Sequence, residues 1–111
     1  MLITDEYMKQ MILRTRGYTI VILKAAQNKG NPETEKIIWE HVRRNFSLRE
    51  EGKLAIVCPI DDETEIKGIG IFSTSEEETK KIMDDDPAVK AGIFTYETHP
   101  CRSFPGDMLP K

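Results

Sequence analysis

Lys53-Leu54-Ala55-Ile56-Val57-Cys58-Pro59-Ile60 is followed by Asp61-Asp62-Glu63-Thr64-Glu65 and then by Ile66-Lys67-Gly68-Ile69-Gly70-Ile71-Phe72. Two apolar runs rich in β-branched residues flank a short acidic segment, which reads as strand, turn, strand over 53–60, 61–65 and 66–72. So short a connection makes the two strands antiparallel. Pro59 cannot donate to a ladder, so it places a break or a sheet edge near the end of its strand. Gly68-Ile69-Gly70 lies inside a strand with no helix directly after it. It is therefore not a dinucleotide fingerprint, and it marks a close backbone approach or a bulge.

Working outward, residues 31–51 form a helix on the amino-terminal side. Asn31 can accept from free N–H groups, Pro32 suits a first helical position and Glu33 suits the positive end, while Gly52 terminates. Before it, 18–24 is a nearly continuous apolar strand, so both of its faces are expected to be covered. A polar loop, 25–30, joins the two. Residues 4–15 repeat Tyr7, Met8, Met11 and Ile12 at helical spacing, with Thr4 as cap and Gly17 as stop. This helix is an appendage on the core or a dimer arm. On the carboxyl side, Ser75-Glu76-Glu77-Glu78 is a capping box, with Glu78 reaching back to the Ser75 amide. Its helix ends near Asp86, because Pro87 disfavours the α conformation in the residue before it. Residues 87–91 make one further turn and 93–99 a fourth strand. The tail, 100–111, contains three prolines and is an ordered loop or strap, with Phe104, Met108 and Leu109 as apolar anchors.

The chain has 111 residues, 39% hydrophobic and 32% charged, which describes one globular domain with a single core. A net charge of −3 with signs interspersed leaves no basic footprint for nucleic acid. The apolar runs are too short for a membrane span, and the start of the chain lacks the pattern of a secretory signal. A cytoplasmic location is the resulting expectation. Cys58 and Cys101 are too few for a disulfide framework, and in a reducing compartment they are expected as free thiols.

The order is a helix followed by β-α-β-β-α-β. This predicts an α+β, ferredoxin-like split fold: a four-stranded antiparallel sheet with both helices on one face. The other face is left bare and partly apolar, which predicts a homodimer or a higher homo-oligomer. The extra helix makes 1–16 an extension, and 100–111 is the tail.

On the wheel of the 31–51 helix, Ile37, Ile38, Val42, Phe46 and Leu48 form an apolar arc with Trp39 at its edge. His41 and Asn45 fall inside that arc, and both need partners there, since an unpaired buried polar group costs about 1–3 kcal/mol. His41 is either a core histidine bonded to a carbonyl or to Asn45, or an acid/base lining a cavity between helix and sheet. In the second case a carboxylate orients the imidazole, and Asp86, at its proline-fixed junction, is the candidate. Asp86 is equally suited to be a helix cap. Asp84 and Asp85 stand at the negative end of a helix dipole, which implies a positive group nearby; Arg16 and Arg102 are the candidates.

His41 in the first core helix, Glu51-Gly52-Lys53-Leu54, Pro59, Ser75-Glu76-Glu77, Asp86-Pro87, Val89, Ala91-Gly92 and Pro100 come in an order that resembles the YCII-related family. The likeness covers about 18–100. It implies a ferredoxin-like chain that dimerises through its sheets, like the dimeric α/β-barrel enzymes. It also implies a site pairing the first-helix histidine with the aspartate of Asp-Pro, here His41 and Asp86. Cys58 stands where that family often has glycine, and the first helix and the tail exceed the common core.

Other chemistry is weaker. His41, Cys58, His99 and Cys101 lack a recognised zinc spacing, so no metal is expected. Either cysteine as a nucleophile would need a base beside it; His99 is close in sequence to Cys101, but Pro100 between them is expected to bend the chain. The leading function is a cofactor-free enzyme of lyase or isomerase type on a small cyclic or carbonyl-bearing molecule. His41 moves the proton and Asp86 orients it, while Asn45, Cys58 and Arg102 contact the substrate. The alternative is a non-catalytic metabolite-binding or assembly module.

Overall fold

Strand β1 (Arg16–Ala25) is the centre around which the other elements pair. The computed structural model describes residues 1–26 and 30–111. β1 is flanked by β3 (Ile66–Phe72) and β4 (Phe94–Ser103), and β2 (Leu54–Pro59) pairs with the far side of β3, giving the order β2-β3-β1-β4. Every pairing is antiparallel. β1 and β2 therefore run parallel with β3 between them, joined through helix α2 (Thr34–Glu50), which is the split β-α-β arrangement. Helices α3 (Glu76–Asp84) and α4 (Pro87–Lys90) make the second crossover, from β3 to β4. The fold is α+β and ferredoxin-like, with an extra helix α1 (Asp5–Leu13) in front. The loop expected over 25–30 falls partly on 27–29, outside the described residues.

The core lies between sheet and helices. Val21 and Leu23 from β1, Leu54 from β2 and Phe72 from β3 meet Leu48, Ile82 and Met83 from the helices. Burial along β1 alternates: Thr19, Val21 and Leu23 are buried, while Tyr18, Ile20 and Ile22 are only half-buried. The expectation that both faces are covered thus holds for one face in the single chain. On the open face Ile20 and Ile22 stand opposite Ile71 and Ile69, which pair onward with Ile56 and Cys58.

Several boundaries differ from the sequence reading. β4 runs through Pro100 to Ser103 and pairs with β1 along its whole length, Pro100 opposite Thr19. An edge strand tolerates a proline, because its outward N–H has no ladder partner to lose. Gly17 does not stop a helix; it lies inside β1, opposite Arg102, and α1 has already ended at Leu13. Thr4 caps α1 as expected, its hydroxyl accepting from the Tyr7 amide at 3.1 Å. None of the α1 residues is buried, so the helix is not laid on the core of its own chain. At the start of α2 the side chain of Asn31 accepts from the Glu33 amide at 2.9 Å, and the helix proper begins at Thr34.

The apolar arc of α2 is only partly used. Trp39, Val42 and Phe46 are 64%, 36% and 57% exposed. The wheel identifies an apolar side but not what covers it. β2, beneath α2, is the edge of the sheet, and beyond an edge no element stands to take up these residues.

Candidate active site

Helix α2 presents His41 and Leu48, two turns apart, as its fully buried residues, with Asn45 half-buried between them. Opposite them the chain leaves α3 and reaches the Asp-Pro junction. Asp86 has φ −70° and ψ 134°, the extended conformation that a following proline favours. The residue is 1% exposed. One carboxylate oxygen, Oδ2, accepts from the amides of Ala88 and Val89 at 3.0 and 3.3 Å and so caps α4, with Pro87 at the first helical position. The other oxygen, Oδ1, lies 2.8 Å from Nδ1 of His41. Cap and histidine partner, alternatives in the sequence, are one and the same carboxylate.

The electrostatics fix the direction of that bond. Burial pushes the Asp86 carboxyl up, but the hydrogen bond and charge of His41, with the Ala88 and Val89 amides, outweigh it and hold the group below its ordinary range. An ionised carboxylate only accepts, so Nδ1–H of His41 donates. The imidazole then turns Nε2 to the cavity side, where its partner is the Asn45 amide nitrogen at a long 3.4 Å. The Phe94 ring packs edge-on against the imidazole, with centroids 5.4 Å apart.

Arg44 stands one turn beyond His41 on α2. Its Nη1 donates to the carbonyl of Ile82 at 2.8 Å and lies 3.7 Å from Oδ1 of Asp86. Lys90 pairs with Asp85 at 2.6 Å. These two, and not Arg16 or Arg102, are the positive groups that the acidic helix end requires. Asp84 is taken up differently: it accepts from the Tyr96 hydroxyl at 2.6 Å. Burial, and after it Asp84, pushes that phenol up to about 12.

His41 borders a cavity of about 190 Å³ between α2 and the sheet. Its wall is mostly apolar, with Val57, Phe72 and Phe94 among its members, and its floor includes Gly68 and Gly70. Exposed Val42 and Pro59 stand at its mouth. His41, Asp86 and Asn45 are thus brought together. Cys58 is not with them: its neighbours Val57 and Pro59 line the cavity, so Cys58 points to the open face of the sheet. Arg102 is exposed near the end of β4 and does not line it. A larger groove of about 400 Å³ lies between the open sheet face and the tail, bordered by Tyr18, Ile56, Ile71, Phe104 and Met108, and holds neither histidine nor cysteine. Phe104 is half-buried there, while Met108 and Leu109 remain 79% and 65% exposed.

Sequence reasoning missed Arg44 and the fact that the two glycines face the cavity; the bulge it expected at them is met beside Gly68, where the β1–β3 register shifts between Leu23 and Lys24. The signal for Arg44 was its place one turn after His41 on the same helix. For the glycines it was their i, i+2 spacing, which puts both on one face of a strand.

No family model matches the chain, and no curated protein matches it. Among solved structures, 5-chloro-2-hydroxyhydroquinone dehydrochlorinase from Burkholderia phenoliruptrix, in complex with 2,5-dihydroxybenzoquinone, is similar at 18% identity and a TM-score of 0.48. The likeness covers 73% of this chain and 90% of that one.

Proposed function

We propose that the chain is a small-molecule enzyme of lyase or isomerase type, a member of the YCII-related family, in which His41 transfers a proton and Asp86 orients it. The observation that carries this reading is the buried 2.8 Å contact between His41 Nδ1 and Asp86 Oδ1 at the wall of a cavity. Asp86 keeps a proton on Nδ1, so the lone pair of Nε2 is the base. Nε2 takes a proton from a substrate carbon next to a carbonyl, and the imidazolium that forms is stabilised by Asp86. Returning the proton to a different atom gives an isomerase. Expelling a leaving group with the freed electron pair gives a lyase. The chemistry needs no cofactor and no metal.

Asp86→Asn tests the pair. It removes the charge and keeps the shape, so the ring nitrogen shifts of His41, which report where its proton sits, change by NMR while the fold persists. Identical ring shifts in the two proteins would dispose of the pair.

The reading includes a homodimer. Ile20, Ile22, Ile56, Ile69 and Ile71 make an apolar face that two copies cover by packing sheet to sheet. Light scattering of dilute protein then gives a mass near twice 12.7 kDa. A mass of one chain at all concentrations would refute that arrangement.

A further inference from the structure

The helix-facing positions of β3 are Gly68, Gly70 and Phe72, and the outward ones between them are Ile69 and Ile71. The strand is therefore bulky towards the open face and bare beneath α2, the reverse of what packing a helix on a sheet requires. Glycine also weakens a strand interior, so its use here calls for a reason.

The two glycines differ. At Gly70 an added Cβ would come within 3.2 Å of Phe72 and 3.3 Å of Leu54, so a side chain there would press on the core and require both neighbours to give way. At Gly68 the nearest atoms would be the Cys58 carbonyl oxygen at 3.5 Å and Leu23 carbons at 4.0 Å, which are ordinary contacts. Gly68 does not have a positive φ either. The β1–β3 register shifts beside Gly68, between Leu23 and Lys24, but neither the φ of Gly68 nor its contacts demand glycine there. What a side chain there would take away is space in the cavity bordered by His41.

We propose that Gly68 sets the specificity of this cavity, and that its ligand is a single flat ring with polar edge substituents, lying against the Gly68–Gly70 backbone with its edge at His41 Nε2. This rests on the reading of His41 as the proton-transfer residue facing the cavity. The size follows from volume: an apolar cavity of about 150 Å³ accommodates benzene, so about 190 Å³ holds one ring with small substituents and not two fused rings. The shape follows from the floor, where peptide planes without side chains offer a flat surface beside Phe72 and Phe94. The polar edge follows from His41, Asn45 and Lys67, which interrupt an otherwise apolar wall. Lys67 lines the cavity as an exposed residue; of the buried residues in that wall none is Lys or Arg.

The test uses phenol, cyclohexanol and 2-naphthol as probes, followed by amide and imidazole NMR shifts in the wild type and in Gly68→Ala. Phenol is expected to move the Gly68 and Gly70 amides and the His41 ring, and to bind more tightly than either other probe. Gly68→Ala is expected to fold, to keep the dependence of the His41 ring shifts on Asp86, and to bind phenol at least about tenfold more weakly. Equal binding of phenol by the two proteins, equal binding of cyclohexanol or 2-naphthol, or a Gly68→Ala chain that does not fold would each overturn the proposal. Phenol binding that depends on Gly68, in a protein whose His41 ring shifts ignore Asp86, would support the floor while removing the proton-transfer reading alone.

Discussion

The Asp-Pro junction and the floor beneath α2 face each other across His41 and are built on opposite terms. At the junction each of the three successive carboxylates has a partner. Asp86 receives two backbone amides and an imidazole, with Arg44 at 3.7 Å, and its neighbours Asp84 and Asp85 are bonded to Tyr96 and Lys90. At the floor the chain leaves contacts unmade, with glycine at two successive inward positions and Trp39, Val42 and Phe46 of the overlying helix exposed. The difference teaches that holding a group still and leaving room for a ligand are separate tasks, carried by separate segments.

The junction is where that contrast breaks with the largest effect. Asp86→Ala leaves the Ala88 and Val89 amides without their acceptor and removes the partner of a buried histidine. The expected cost is about 3–5 kcal/mol, read from the denaturant midpoint at an unchanged slope. A loss below 1 kcal/mol would mean that the junction is not held as described.

Acid sharpens the same contrast with a smaller effect. Because folding depresses the Asp86 carboxyl, its contribution is fully present above the ordinary carboxylate value, about 3.9. That contribution is lost as pH falls through the lower folded value. The melting temperature of the wild type is therefore expected to fall more steeply below about pH 4 than that of Asp86→Asn. Parallel acid limbs would contradict this.

At the floor the expected change is smallest and has the opposite sign. Gly68→Ala removes a flexible residue from a strand and fills part of a void, so it should stabilise by about 0.5–1 kcal/mol. A thermal melt reads the gain directly, and a loss of stability would show that the site has no spare room.

Much of this was legible in the residues, and the reason is locality. The β2–β3 hairpin, the Ser75 cap and the α4 turn after Pro87 each depend on neighbours within a few positions. The Ser75 hydroxyl indeed accepts from the Glu78 amide at 3.1 Å. What was hidden depends on register or on packing between elements. That Gly68 and Gly70 lie beneath α2 requires knowing which face of β3 the helix covers. That Arg44 reaches the end of α3 requires the contact of the two helices. Pro100 looked like the end of a strand because its tolerance follows from β4 being an edge. The juxtaposition of His41 and Asp86 came from the family likeness, since residues alone do not say which helix ends meet.

Helix α1, which buries nothing against its own domain, has a consequence for how the molecule diffuses. The chain measures 56 × 29 × 24 Å with a radius of gyration of 16.4 Å, where a compact chain of this length has about 13 Å. Such a particle tumbles and migrates as though it were heavier. In gel filtration a single chain would elute ahead of its mass and imitate an oligomer, so subunits must be counted by a method sensitive to mass and indifferent to friction.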